Sequence, residues 1–318
     1  MKSTSIVLIG LFVAQLAVAG VLYHNNASQR AVRPQGNLLS LDSSVIDQVS
    51  IEGEDNSVTL EKKQESWLIA SSGLPAEQPK VEQALETFSE MKLGWAVATS
   101  DASHQQLEVA DDKYQRRVMI NSGDVTVGEI FIGTSPGFKR SHVRKKGSDE
   151  VYSAAVNAFD LPASDADWLD KTLLQVSDIT TLTIDDKELV KKDDQWVYDG
   201  SEDTDQEKAT QLVSAIENMR VTDIATDIAA DQDSVVFELI TLKAGDDEFA
   251  YRFAGEDDNY LVTRDDIDFV FKIAKSSYDS VMESALLPEP EEAPPPSADA
   301  AESPNSVDTE TDEKSTND

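Results

Sequence analysis

One short motif in the sequence has the spacing of a catalytic nucleophile. Gly133-Thr134-Ser135-Pro136-Gly137 reads G-x-S-x-G, the pattern in which a serine stands on a sharp turn between a strand and a helix. In such a turn the residue after the serine donates its backbone N–H to the oxyanion. Pro136 has no N–H to donate, and the residues from Phe138 to Lys146 look like a strand rather than a helix. We therefore interpret Ser135–Phe138 as a type II turn that closes a hairpin, and we predict no catalytic residue.

The composition limits metal and cofactor sites. The chain has no cysteine and three histidines, none of them in an H-x-x-x-H or H-E-x-x-H pattern, so we predict no transition-metal site. Acidic residues crowd Asp199–Glu207 and Glu256–Asp258, but neither stretch fits the EF-hand calcium loop, and solvated loops explain both. The chain also lacks a P-loop and a dinucleotide fingerprint. The sequence thus predicts no bound cofactor.

One basic segment interrupts an acidic chain. Lys and Arg number 27 against 61 Asp and Glu, which gives a formal net charge of −34 and argues against nucleic acid as a partner, because phosphate binding needs concentrated basic residues. Strand alternation would leave both faces of the basic segment in water. We interpret it either as a hairpin edge protected by charge, or as a dock for an anionic membrane or an acidic partner. Its basic residues are Lys139, Arg140, Arg144, Lys145 and Lys146.

The first 24 residues indicate attachment to a membrane. Ile6–Tyr23 is an apolar stretch whose one strongly polar member is Gln15, and as a helix it would be about 27 Å long, enough to cross a bilayer. Two alternatives remain open: an uncleaved single-pass anchor, or a signal peptide that is cut after Ala19. In both, the chain after His24 is expected on the outer side of the cytoplasmic membrane. Residues 25–44 form a linker to the folded body.

The body of the chain repeats itself. Leu60–Trp67 and Leu189–Trp196 share the pattern L-x-K-K-x-x-x-W, and the tryptophan that ends each is predicted to lie in the core rather than to bind a ligand. We predict one amphipathic helix after each tryptophan, beginning near Pro79 in the first copy and at a Thr204–Glu207 capping box in the second. The apolar residues at helical spacing are Val81, Ala84, Leu85, Phe88 and Met91, and then Ala209, Leu212, Val213, Ile216 and Met219.

Alternating apolar residues downstream of each helix are typical of hairpin strands. The predicted fold class is therefore α+β: two tandem repeats of antiparallel hairpins with one amphipathic helix each, behind an N-terminal transmembrane helix. The first repeat is placed at 45–160 and the second at 178–284, joined by a connecting segment at 161–177. Residues 285–318 include ten acidic residues and six prolines and are predicted to be a disordered tail.

The order of these motifs resembles that of a known bacterial family. The anchor, the first tryptophan pattern, the hairpin with Ile132-Gly133, His142-Val143-Arg144 and Val151-Tyr152, the segment Asp167–Leu174 and the second tryptophan pattern are similar to those of a domain-of-unknown-function family. Its members are often encoded beside ABC transporters of the gliding-motility (Gld) type. The resemblance covers about residues 40–284, and no catalytic residue is assigned in that family.

The resemblance implies a location and a class of partner. It implies a non-enzymatic accessory or scaffold protein in the bacterial inner membrane, with its body in the periplasm, bound to an ABC-type permease or to another envelope protein. If the chain is cut after Ala19, the body is instead free in the periplasm. The alternative function is a periplasmic ligand-binding or sensor module that holds a small molecule or calcium in a groove between the repeats.

Overall fold

The computed structural model describes residues 36–201, 203–225, 238–256 and 258–285, together with Gln15 and Val18. Across these residues we find no helix long and apolar enough to span a membrane. The predicted membrane segment Ile6–Tyr23, apart from those two residues, and all but the first residue of the predicted acidic tail lie outside the described part of the chain.

The first half of the described chain forms one antiparallel sheet of eight strands. Along the sheet the order is β3-β2-β1-β5-β6-β7-β8-β4. Helix α1 (Gln78–Glu90) connects β3 to β4, and the shorter helix α2 (Asp101–Leu107) connects β4 to β5. The strands are β1 (Gln48–Glu52), β2 (Ser57–Lys63), β3 (Ser66–Ile69), β4 (Ala96–Ala98), β5 (Arg116–Ser122), β6 (Val125–Ile132), β7 (Ser141–Lys145) and β8 (Val151–Ala154).

The second half forms another antiparallel sheet with the same strand order, β11-β10-β9-β13-β14-β15-β16-β12. A one-turn helix, α3 (Asp165–Trp168), lies between the two sheets in sequence. Helix α4 (Gln206–Glu217) connects β11 to β12, and helix α5 (Lys275–Ala285) follows β16. The strands are β9 (Ile179–Ile184), β10 (Lys187–Lys192), β11 (Gln195–Tyr198), β12 (Val221–Ile224), β13 (Glu238–Ala244), β14 (Asp247–Glu256), β15 (Asn259–Arg264) and β16 (Ile267–Ile273). The protein is therefore α+β, with mostly antiparallel strands.

Helices α1 and α4 are the two helices that the periodicity predicts, and both are confirmed. Each helix buries four of its five predicted apolar residues, and the fifth, Met91 or Met219, is buried just beyond the end of the helix. Pro79 stands in the first turn of α1, as expected. The capping box predicted for α4 is wrong. The cap is Asp205, whose carboxylate accepts from the N–H groups of Glu207 and Lys208 at 3.1 Å, because a carboxylate at this position reaches two free donors of the first turn.

The tryptophans of the repeated pattern are core residues, as predicted, and each is held by a glutamine. Trp67 is 4% exposed and Trp196 is 7% exposed. The Gln78 side chain accepts from the Trp67 N–H at 2.7 Å and donates to its carbonyl at 2.9 Å. Gln206 makes the same pair of bonds to Trp196, at 2.8 and 2.6 Å. Since β3 and β11 are edge strands, the first residue of each helix satisfies backbone groups that no neighbouring strand can reach.

The connecting segment contacts both sheets. The Trp168 side chain is fully buried. The backbone carbonyl of Trp168 accepts from the Glu77 N–H at 2.8 Å, beside the start of α1. Six residues later, the Leu174 carbonyl accepts from the Tyr251 hydroxyl of β14 at 2.5 Å. Residues of this segment and of both sheets belong to one buried hydrophobic cluster, so the two sheets share a continuous core.

Candidate interaction surface

The loop between β6 and β7 carries the G-x-S-x-G motif and differs from its predicted geometry. The Arg140 N–H donates to the Gly137 carbonyl at 3.2 Å, so the turn lies two residues further on than predicted. Lys139, with φ 53°, takes the left-handed position that we assigned to Gly137. The expected strand begins at Ser141. The Ser135 hydroxyl lies 2.7 Å from the carbonyl oxygens of both Gly137 and Arg140, so its bonds stay inside the loop.

The first glycine of the motif has a packing role. A Cβ atom at Gly133 would lie 2.1 Å from the carbonyl oxygen of Leu107 and 2.3 Å from that of Glu108. The next residue, Thr134, donates its N–H to the Leu107 carbonyl at 2.9 Å. Glycine is therefore required where the hairpin crosses the end of α2, because two backbones approach more closely than any side chain allows.

Arg144, one of the predicted contact residues, points into the protein. Its side chain is 6% exposed, and it donates to the carbonyls of Val109 at 2.6 Å and Ser148 at 3.1 Å and to the carboxylate of Asp111 at 2.7 Å. The guanidinium carbon lies 4.7 Å from the centre of the Phe131 ring. The hydrogen bond from Arg144 holds the pKa of Asp111 below its ordinary value. The expectation that both faces of this segment are in water is therefore wrong for Arg144.

The other four predicted contact residues are exposed and fall into two groups. Lys146 directly follows Lys145, the last residue of β7. Its ammonium lies 3.3 Å from the Asp111 carboxylate, which also pairs with Arg144. Lys139 and Arg140 lie at the opposite end of the strand, in the turn. Arg140 donates to the hydroxyl of Ser153 at 2.9 Å and to its carbonyl. The structure thus splits the basic segment into a group near Asp111, in which Arg144 is buried, and an exposed pair at the turn.

Lys139 of this pair borders a groove that the sequence did not reveal. The groove has a volume of about 930 Å³ and lies between α1 and the residues that follow β8, with the β6–β7 turn at its rim. We call it the α1 groove. A second hollow of about 520 Å³ shares residues with it and extends along α1 as far as Lys92–Gly94 and Arg140. The α1 residues that line the groove are Pro79, Lys80, Gln83, Ala84 and Thr87.

Two phenylalanines on this groove are almost fully exposed. Phe138 is 88% exposed and Phe159 is 86% exposed, and both line the α1 groove. The Lys139 ammonium lies 5.4 Å from the centre of the Phe138 ring. Single exposed apolar residues are ordinary, but two aromatic rings beside exposed cations on one groove are typical of a binding surface. Sequence patterns gave no sign of this groove, because its walls are far apart in the chain.

No metal site is formed by the described residues. Among them, no group of three or more His, Asp or Glu side chains could hold a metal ion. In the first acidic stretch that we considered for calcium, the Asp205 carboxylate caps α4 and Glu202 lies outside the described residues. In the second stretch, Asp257 lies outside them as well.

Comparison with known proteins places the chain in one family. Residues 67–236, more than half of the chain, match the family described as Domain of unknown function (DUF4340). The match begins at the first core tryptophan and includes α1, the α1 groove and α4. No curated protein and no solved structure matches the chain.

Proposed function

The chain belongs to the DUF4340 family, and we propose that it is a non-enzymatic scaffold protein of the bacterial inner membrane that docks a partner at the α1 groove. In this proposal Ile6–Tyr23 anchors the chain and the two-sheet body lies in the periplasm. The partner is the permease of an ABC-type export complex or another envelope protein. The membrane anchor and the transporter rest on the sequence and on the family resemblance given above.

One observation carries the docking role: exposed Phe138, Phe159 and Lys139 line one groove, and exposed Arg140 lines the adjoining hollow. Aromatic residues and arginine are enriched among the residues that dominate binding energy at interfaces. Two polar side chains of this hairpin already have partners within the fold: Ser135 bonds within its loop, and Arg144 donates to internal carbonyls. The geometry therefore favours binding over catalysis.

The point at which the chain enters the fold supports docking close to a membrane. The Leu93 N–H donates to the Gly36 carbonyl at 3.0 Å. The continuous described range therefore starts close to the end of α1 that borders the second hollow. Tyr23 and Gly36 are separated by 12 residues, which span at most about 45 Å when extended. An anchor at Ile6–Tyr23 would therefore keep the groove within reach of the membrane-proximal parts of a permease.

Recovery of the partner from membranes tests this proposal. Tagged full-length protein is cross-linked in its host, solubilised and purified, both as wild type and with Lys139→Ser plus Arg140→Ser. We expect an ABC permease with the wild type and at least about 10-fold less with the variant, since these charges steer and hold the partner. The matched control is Lys191→Ser plus Lys192→Ser, a second exposed basic pair. Equal recovery with both variants contradicts the docking role.

The ligand-binding alternative places its site between the repeats. The two hollows described above are lined by residues of the first repeat and by Leu161 of the connecting segment. They include no residue of the second repeat and do not favour this alternative. It predicts that a small molecule or calcium raises the melting temperature of the full chain, because a ligand that binds only the folded state stabilises it.

A further inference from the structure

In the second repeat, a helix of the chain itself covers helix α4. Helix α5 follows β16 directly and packs against α4 and β15. Its Tyr278 ring lies 5.3 Å from the ring of Tyr260, which belongs to β15. Val281 of α5 is fully buried, and Met282 packs against the same core. The apolar side of α5 is therefore part of the folded interior.

The first repeat takes a different path at the equivalent point. Val143 pairs with Tyr152, and Val262 pairs with Phe271, so the strands correspond at a displacement of 119 residues. After β8 the chain forms a 3-10 turn at Ala158–Asp160 and then leads into α3. Phe159, the counterpart of Tyr278 at this displacement, is 86% exposed. The α1 groove is the space left open by this path.

The α1 side of the groove resembles the corresponding surface of α4. At the displacement of 128 residues that relates the two helices, two of the five α1 residues in the groove are identical to their counterparts in α4. Two others correspond to Leu212 and Ala215, which both pack in the core. The pairs are Pro79 with Glu207, Lys80 with Lys208, Gln83 with Gln211, Ala84 with Leu212, and Thr87 with Ala215.

We infer that the α1 groove binds an amphipathic helix of a partner protein, in the place that α5 takes in the second repeat. The inference rests on the proposed docking function and specifies the chemistry of the partner. The apolar face of that helix, with apolar residues at positions i, i+3, i+4 and i+7, would cover Phe138 and Phe159.

The charges around the groove set the orientation of the bound helix. Lys139 and Arg140 lie in the β6–β7 turn, whereas Glu86 and Glu90 lie on the α1 side of the adjoining hollow, which Lys92 and Arg140 also line. A helix that is acidic along the edge facing the turn and basic along the edge facing Glu86 and Glu90 complements both sides. The partner segment is thus an amphipathic helix with oppositely charged edges.

A peptide with the sequence of α5 provides a direct probe. The chain has no cysteine, so Gln83→Cys introduces a single thiol on an exposed wall of the groove for an environment-sensitive dye. Labelled full-length protein in detergent is titrated with a synthetic peptide of residues 274–287 and with a scrambled version. We expect a saturable signal with the first peptide and none with the second.

Variants of the groove establish where the peptide binds. Phe138→Ser plus Phe159→Ser is expected to weaken binding at least about 10-fold, because apolar anchors dominate such interfaces. Both side chains are exposed, so the fold is retained, and circular dichroism checks this. Val125→Ser is the matched control, since Val125 is 63% exposed at the far end of β6. Absence of peptide binding at about 1 mM, or equal binding to the double variant, overturns the inference.

Two other occupants would also overturn it. If the introduced thiol resists maleimide in the full chain alone, another segment of the same chain covers the groove. If the wild type forms a dimer that the double phenylalanine variant loses, the occupant is a second copy. Failure of this inference is separable from failure of the proposed function. Loss of permease recovery with Lys139→Ser plus Arg140→Ser, together with no peptide binding, would retain docking and reject the helix.

Discussion

Replacing Arg144 by methionine tests the buried arginine of the basic segment apart from the exposed cations of that segment. The change removes the donors to the carbonyls of Val109 and Ser148, the ion pair with Asp111 and the contact with the Phe131 ring. Because Val109 is fully buried, its unsatisfied carbonyl costs about 1–3 kcal/mol. The Asp111 side chain is 58% exposed, so the ion pair adds at most about 1 kcal/mol. The ring contact adds about 1 kcal/mol.

The expected total is a loss of about 3 kcal/mol in the free energy of unfolding. For a folded body of this size, 1 kcal/mol corresponds to about 2–4 °C in melting temperature, so Arg144→Met should melt about 6–12 °C lower. Thermal unfolding of the full-length protein in detergent, followed by circular dichroism, measures the shift. Lys146→Met is the matched control, because Lys146 pairs with the same carboxylate at 3.3 Å while its side chain is 44% exposed. The Lys146→Met change should lower the free energy of unfolding by less than about 1 kcal/mol.

The pH dependence of the same variant checks the role of Asp111. Its pKa in the folded protein lies below the ordinary value of 3.8, first because of the hydrogen bond from Arg144. The ion pair therefore contributes its full stability above pH 3.8 and loses it as the pH falls through the lowered pKa. The difference in melting temperature between wild type and Arg144→Met should shrink in that acidic range.

A melting temperature of Arg144→Met within about 2 °C of the wild type at neutral pH would refute the structural role of Arg144.

Two further predictions concern backbone contacts. Gln78→Ala and Gln206→Ala should each lower the free energy of unfolding by about 1–2 kcal/mol in a urea titration, because each leaves the backbone N–H of a core tryptophan in an edge strand without its partner. A loss confined to one of the two variants would contradict the equivalence of the two glutamines. Gly133→Ala should lower the free energy of unfolding by more than about 2 kcal/mol, since its Cβ would lie 2.1 Å from a backbone carbonyl oxygen. Gly94→Ala, whose Cβ would have no atom within 4 Å, should leave the free energy of unfolding nearly unchanged. Equal melting temperatures for these two variants would show that the hairpin can move away from α2.

Local periodicity was sufficient to predict helices α1 and α4 and the strands that carry the tryptophan patterns, but it did not predict the short helix α2. The apolar stripes of α1 and α4 follow the helical period, and the tryptophan patterns follow the strand period, so each element carries its own signal. The end of a helix is a finer matter: Thr204 and Asp205 are both good caps, and only the backbone path shows that the carboxylate of Asp205 reaches the free N–H groups. The same holds for the turn at Gly137–Arg140, where the left-handed residue is a lysine.

The basic segment shows most clearly what the sequence could not decide. Alternation along a strand assigns side chains to faces, but it does not say what covers each face. Helix α2 and the loop after it lie on one side of the first sheet, where Val109 and Asp111 meet Arg144, and this contact converts one predicted docking residue into an internal one. Lys139 and Arg140 remain at the turn, beside the groove.

The sequence by itself determined the α+β class, the two helices with their apolar faces and the internal repetition, because these depend on the spacing of residues close together in the chain. The tertiary structure alone decided which cations are exposed and that two phenylalanines line one groove, because both depend on residues that are distant in sequence. It also showed that α5 covers α4 while the equivalent path leaves the α1 groove open. Two repeats with the same strand order thus differ in the one surface that we propose binds a partner.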